Sequence, residues 1–121
     1  MDKICLNEFF RDVGRPIRIY LASEVETDPF EHTKEFTELS PISIKAIVTD
    51  LIASQSEWKM PGIATAKAKE IIVKKKHKTL LEQSYKIEID EEYYYGWKVH
   101  GRMQMREEGD FLRVYIYIRK D

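Results

Sequence analysis

Two stretches near the C-terminal end, WKVHGRMQM (97–105) and FLRVYIYIRK (111–120), alternate apolar and polar residues with a period of two. In the first, Trp97, Val99, Gly101, Met103 and Met105 fall on one side and Lys98, His100, Arg102, Gln104 and Arg106 on the other. In the second, Leu112, Val114, Ile116 and Ile118 oppose Arg113, Tyr115, Tyr117 and Arg119. A period of two with β-branched and aromatic residues specifies strands that bury one face. The intervening Glu107-Glu108-Gly109-Asp110 predicts a hairpin whose two-residue loop is Glu108-Gly109, with Gly109 supplying the positive φ. That register puts Met105 opposite Leu112, Met103 opposite Val114, Gly101 opposite Ile116 and Val99 opposite Ile118, so every apolar residue lands on one face. On the other face Arg102 would neighbour Tyr115, His100 would neighbour Tyr117, and Lys98 would neighbour Arg119. Gly101 in mid-strand predicts a bend or a close backbone approach.

The rest of the chain reads mostly the same way. YKIEID sets Ile87 and Ile89 on one face, and EEYYYG is read as a turn into Trp97. PIRIYLA aligns Ile17, Ile19 and Leu21; SIKAIVTDLI (43–52) is a long β-rich run; EIIVKK (70–75) is a short apolar strand. Helix is scarce. LNEFFRDVG predicts two turns between an Asn7 N-cap and a Gly14 stop, and KTLLEQS (78–84) one turn. Residues 24–41 and 54–67 are expected to be long loops, the first opened by Asp28-Pro29 and the second carrying Trp58, Met60, Pro61 and Gly62. The expected fold is mainly β: one domain over residues 1–121, a small antiparallel β-barrel or sandwich of five to seven strands with long loops and a short N-terminal helical segment (1–15).

Composition limits function. Apolar residues make up 43% of the 121, enough for a core in a single domain. A formal net charge of −1 argues against a protein that lives mainly on a phosphate backbone. One cysteine, Cys5, allows no internal disulfide and no cysteine metal site. The start MDKICLNEFF lacks the character of a signal peptide, and no apolar run approaches the roughly 20 residues of a membrane helix. A soluble intracellular protein with no membrane contact is expected.

No catalytic or cofactor signature emerges. His32, His77 and His100 have no metal-ligand spacing, and Glu88, Asp90, Glu91 and Glu92 read as a solvated turn. Phosphate-loop, dinucleotide-binding and nucleophile-elbow patterns are absent, so neither an enzyme nor a cofactor is expected. KKKHK (74–78) is read as a solvated strand end that could also touch phosphates. Two groups of residues remain as candidates. Lys98, Arg102, Arg113, Tyr115 and Tyr117, with His100 beside them, form a basic, tyrosine-bearing face. It fits cross-strand stabilisation, a protein interface, or single-stranded nucleic acid. Phe30, Phe36, Trp58, Met60, Pro61 and Ile63 are apolar anchors in the two expected loops; Trp58, Met60 and Ile63 are costly to leave in water and either fold back on the sheet or, the preferred reading, insert into a neighbour.

From Pro16 onward the succession DPFEHTKEF, SPISIKAIVTDL, WKMPGI, YKIEID, EEYYYGW, KVHGRMQM and FLRVYIYIRK resembles the small head–tail connector proteins of tailed phages and prophages, also called head-closure or head–tail adaptor proteins. The resemblance lies in strand pattern and length and involves no chemical motif. It implies a non-enzymatic β-barrel that forms a homo-oligomeric ring, closes the DNA-filled head and docks the tail. It also implies a virion location after assembly in the host cytoplasm. The implied partners are further copies of the chain, the portal or adaptor ring, tail proteins and DNA in the channel. The other expectation, from the residues alone, is a small single-stranded nucleic-acid-binding β-barrel using the Lys98/Arg102/Arg113/Tyr115/Tyr117 face.

Overall fold

The computed structural model describes residues 10–28, 33–61 and 65–119. A helical turn over residues 10–13, α1, stops at Gly14, whose N–H donates to the Phe10 carbonyl at 3.0 Å. Four strands follow: β1 (Arg15–Tyr20), β2 (Ala22–Asp28), β3 (Thr33–Glu38) and β4 (Ile42–Leu51). Helix α2 (Ala53–Lys59) leads to β5 (Thr65–Lys74), a 3-10 turn (Lys75–His77) and helix α3 (Lys78–Gln83). The chain finishes with β6 (Lys86–Ile89), β7 (Glu92–Gly96), β8 (Lys98–Val99), β9 (Arg102–Met103), β10 (Met105–Glu108) and β11 (Phe111–Arg119).

The main sheet runs β10-β11-β5-β4-β1-β6-β7, and β7 pairs again with β11. That second pairing, Ile116 opposite Gly96 and Tyr117 opposite Tyr95, closes β11, β5, β4, β1, β6 and β7 into an antiparallel barrel. The fold is therefore mainly β, a small antiparallel barrel with a short N-terminal helix. Closure pairs strand edges that would otherwise be open to other chains.

Alternation fills the interior. Ile17, Ile19, Ile44, Ala46, Ile71, Val73, Ile87, Ile89, Tyr94, Leu112, Val114 and Ile116 form one buried cluster. Each buried aliphatic side chain contributes about 1.5–3 kcal/mol relative to exposure. Leu81 joins the same cluster from α3, with Leu80 partly buried beside it, so the β5–β6 connection seals its end of the barrel. Ile47 and Ile72 are paired in register one residue away from the inward Ala46 and Ile71 and so face outward. Phe10 of α1 covers them together with Phe111, the two rings lying 5.3 Å apart at 49°. This contact explains why an otherwise solitary helical turn docks on the barrel wall.

Several expectations need correction. The first alternating ribbon is not one strand. His100 and Gly101 both have positive φ (53° and 77°), the requirement of a tight hairpin turn, and β8 folds back on β9 with Val99 opposite Arg102. Gln104 N–H closes the excursion on the Trp97 carbonyl at 2.9 Å, and Trp97 N–H returns to β11 at the Tyr115 carbonyl. The places beside Ile116 and Tyr117 are taken by β7 instead, so EEYYYG is largely strand, turned at Asp90 and Glu91 (φ 52° and 67°). The β10–β11 loop is Gly109-Asp110 with Gly109 first at φ 59°, and Met105 faces Val114. That register differs from the expected one by two residues. A slip of two preserves which face each side chain of β10 takes, whereas Val99 and Gly101, expected on the buried face, are exposed on the β8–β9 hairpin.

The expected loop 24–41 is mostly a hairpin, β2 against β3. The expected loop 54–67 contains most of α2 and the start of β5. Neither shows an apolar period: among the described residues the hairpin pairs with no barrel strand, and the helix is only 7 residues long. Asn7 and Cys5 lie outside the described residues.

Leu112→Ala, at a fully buried position on the closing strand, is expected to lower unfolding stability by about 2–5 kcal/mol. Arg106→Ala on the exposed β10 is expected to change it by about 0.5 kcal/mol or less, both measured by urea denaturation.

Candidate interaction surface

The barrel's outer wall at β7 and β11 is tyrosine-rich because inward and outward positions alternate. Tyr94 points in at 1% exposure, leaving Tyr93 and Tyr95 outside at 43% and 46%. Tyr117 lies opposite Tyr95, and Tyr115 follows on the same face of β11. Sequence reading missed Tyr93 and Tyr95 because three consecutive tyrosines hide the alternation. Tyr93 meets Tyr20 edge to ring at 5.7 Å, and the Lys86 ammonium sits 4.1 Å from the Tyr93 ring centroid and 4.7 Å from that of Tyr20. Tyr20 donates its hydroxyl proton to Glu88 Oε1 at 2.5 Å. That bond to a carboxylate, with burial and Tyr93 adding to it, pushes the Tyr20 pKa up to about 12.

The expected apolar anchors separate. Trp58 on α2 is 86% exposed, and Ile52 just before the helix is 65% exposed. Lys59 at the end of α2 places its ammonium 5.7 Å from the Tyr115 ring centroid, bringing α2 next to the tyrosine wall. Pro61 is exposed. Met60, by contrast, is fully buried in its own chain, so it anchors α2 and cannot serve a neighbour. Phe36 lies in β3 opposite Glu24 by backbone register. Phe30 and Ile63 lie outside the described residues.

The five residues of the expected nucleic-acid face are not assembled into one basic surface. Arg113, Tyr115 and Tyr117 share the outer side of β11, while Lys98 and Arg102 belong to the separate β8–β9 hairpin. Arg113 Nη2 donates to Glu108 at 3.0 Å, and Arg113 Nη1 lies 3.3 Å from Glu70. Its charge is therefore matched on the wall. His100 occupies the hairpin turn.

The mouth of the barrel, where β4 ends and β5 begins, is polar. Asp50, Lys67, Lys69, Asp90 and Glu92 surround a cavity of about 280 Å³ whose lining includes Tyr94. Lys67 Nζ bonds both Glu92 oxygens at 2.6 and 2.8 Å, Lys69 bonds Asp50, and Arg15 Nη1 bonds both Asp90 oxygens at 3.1 and 2.9 Å. The Lys69 bond holds Asp50 below the ordinary carboxylate range, and the Glu92 bond raises Lys67. Three cations meet three carboxylates, so the rim is already neutralised. Among the described residues no group of three His, Cys, Asp or Glu side chains is placed to hold a metal ion. No described helix is long and apolar enough to cross a membrane.

The β2–β3 hairpin is the remaining surface. Leu39 N–H to the Leu21 carbonyl, 3.0 Å, ties its base, and Ala22 faces Glu38 across the first rung. Its sheet has two strands and pairs with nothing else among the described residues. Seven residues of strand extend about 23 Å at 3.3 Å each. An isolated pair of strands is marginal in water and has unpaired edges on both sides.

Trp58→Ala is expected to leave the isolated chain's stability within about 0.5 kcal/mol of the parent, whereas Met60→Ala costs about 2–5 kcal/mol, both read by chemical denaturation. Because folding raises the Tyr20 pKa, its stabilising contribution is full below pH 10 and fades as the pH climbs from 10 through 12. Tyr20→Phe is expected to flatten that alkaline loss in a denaturation series. Comparison of the chain with protein-family models and with curated proteins returns no match.

Proposed function

We propose that the chain is a non-enzymatic structural subunit of a phage or prophage head–tail connector. In this reading copies assemble into a ring that closes the DNA-filled head, meets the portal or adaptor ring on one side and presents a docking surface to the tail on the other. The observation that carries the reading is the β2–β3 hairpin, a two-stranded arm on a closed barrel. A barrel with its edges paired makes a rigid block, and an arm with free edges gains stability when another chain covers it. Trp58, exposed on α2, adds an apolar surface of the kind found at contact centres. One arm on each identical block suits a head-to-tail contact, which closes a ring when its rotation divides the circle. The resemblance of the sequence to connector proteins in strand pattern and length points the same way.

The nucleic-acid reading draws less support, because Arg113 is matched by Glu70 and Glu108 and the other two cations sit on a different hairpin.

The test is mass determination of the full chain by light scattering and native mass spectrometry across a concentration series, with electron microscopy of the largest species. A closed ring of whole-number stoichiometry is expected, and Trp58→Ala or replacement of residues 23–37 by a short Gly-Ser link is expected to leave the barrel's circular dichroism intact while abolishing the ring. A chain that stays monomeric up to its solubility limit overturns the ring. Saturable, salt-sensitive binding of a labelled single-stranded oligonucleotide, lost on Lys98→Glu/Arg102→Glu, favours the other reading.

A further inference from the structure

Arm and barrel carry opposite charge. From Ala22 to Glu38 the sequence holds Glu24, Glu26, Asp28, Glu31, Glu35 and Glu38 against Lys34 alone, a net charge of −5. The whole chain is −1, so everything outside the arm is +4. Much of that excess is concentrated at one corner, where β5 passes through the 3-10 turn into α3.

Lys74, Lys75, Lys76 and Lys78 are all exposed there. Lys74, Lys75 and Lys76 line a concavity of about 370 Å³ together with Asp110 and Phe111. Glu107 is shared by two of the lysines, 3.2 Å from Lys75 Nζ and 2.9 Å from Lys78 Nζ. The Lys74 ammonium lies 5.6 Å from the Phe10 ring centroid, and among the described residues no carboxylate pairs with Lys76. The surroundings register the excess: Lys78 and Lys75 hold Glu107 below the usual carboxylate range, and burial together with Lys76 and Lys74 pushes His77 down. Four cations thus face three carboxylates, Glu107, Asp110 and, beside Lys78, Glu82, leaving the corner positive.

We propose that the acidic β2–β3 arm of one copy seats on the Lys74–Lys78 corner of the next copy. The proposal rests on the ring reading and names the contact that builds it. Among the described residues the arm's strands pair only with each other, so their outer edges are open to backbone pairing by another chain. The complementary charge lies on the same sequence, which makes a second copy the matching partner. Arm and corner are different surfaces, so the contact is heterologous and repeats around a ring instead of stopping at a dimer. Opposed charge also sets the register of docking and speeds encounter, and it weakens as salt shortens the screening length from about 10 Å at 0.1 M to about 3 Å at 1 M.

The test is a charge exchange on the full chain. An arm variant carries Glu24→Lys, Glu26→Lys and Glu35→Lys; a corner variant carries Lys75→Glu and Lys76→Glu. Circular dichroism checks that each keeps its barrel. Each variant alone is expected to need at least about tenfold more protein to assemble than the parent, because like charges then oppose each other. The two mixed in equal amounts are expected to regain parental assembly, since each reversed arm meets a reversed corner, and so is one chain carrying both sets. Rings that form equally well from either variant overturn this contact while leaving the ring itself standing. A parent chain that never assembles removes both. Loss of oligonucleotide binding in the corner variant with unchanged assembly assigns the corner to nucleic acid and overturns the proposal.

Discussion

The pairing of β11 along both its edges, with β5 on one and β7 and β10 on the other, holds the molecule together. Its nine residues run beside β5 along most of their length and beside β7 and then β10 on the other edge. Leu112, Val114 and Ile116 point from this strand into the core with no exposed area. Without the β7 contact the sheet would be open, with two edges and a half-covered apolar face. With it, backbone hydrogen bonds and apolar burial are satisfied by one geometry, and the wall becomes stiff enough to carry projections.

Three features extend from that wall, and each is shaped by how much of it the barrel covers. The β8–β9 hairpin leaves the wall between β7 and β10 and returns through the Trp97 and Gln104 hydrogen bonds. Met103 from this hairpin packs over Gly96, where an added Cβ would collide with it, so the hairpin lies close against the barrel. Helix α2 is held by Met60 and leaves Trp58 in solvent. The sheet of the β2–β3 arm has no third strand among the described residues. The mouth of the barrel follows a different logic: Lys67, Lys69 and Arg15 are each matched by a carboxylate, so polar groups at the end of an apolar lumen are satisfied locally.

Much of the barrel was legible from residues alone. Ile17 and Ile19, Ile87 and Ile89, and the inward residues of FLRVYIYIRK all face the core as their alternation requires. The helical turn that ends at Gly14 and the short helix around Leu81 lie where the sequence places them. The surfaces were less legible. WKVHGRMQM satisfies a strand pattern over nine residues, yet the His-Gly pair at its centre adopts two consecutive positive φ values and folds it in half. Local turn chemistry and alternation predicted different structures there, and the deciding factor was β7, which occupied the place beside Ile116. The arm was invisible for the opposite reason. Among the described residues its strands pair with no barrel strand, and ASEVETD and TKEFTE carry too few apolar residues to show a period.

The sequence by itself determined the strand-rich class, the inward residues of the regularly alternating barrel strands, and a strongly acidic stretch set apart from a lysine-rich one. These depend on the alternation of neighbouring residues and on charge, both local properties. Only the tertiary structure decided that the strands close into a barrel, that Met60 serves the chain's own core while Trp58 remains outside, and that the acidic stretch is an arm pairing with no barrel strand. Those outcomes turn on which of several compatible strands wins a place beside β11, a competition between segments far apart in sequence that no local pattern encodes.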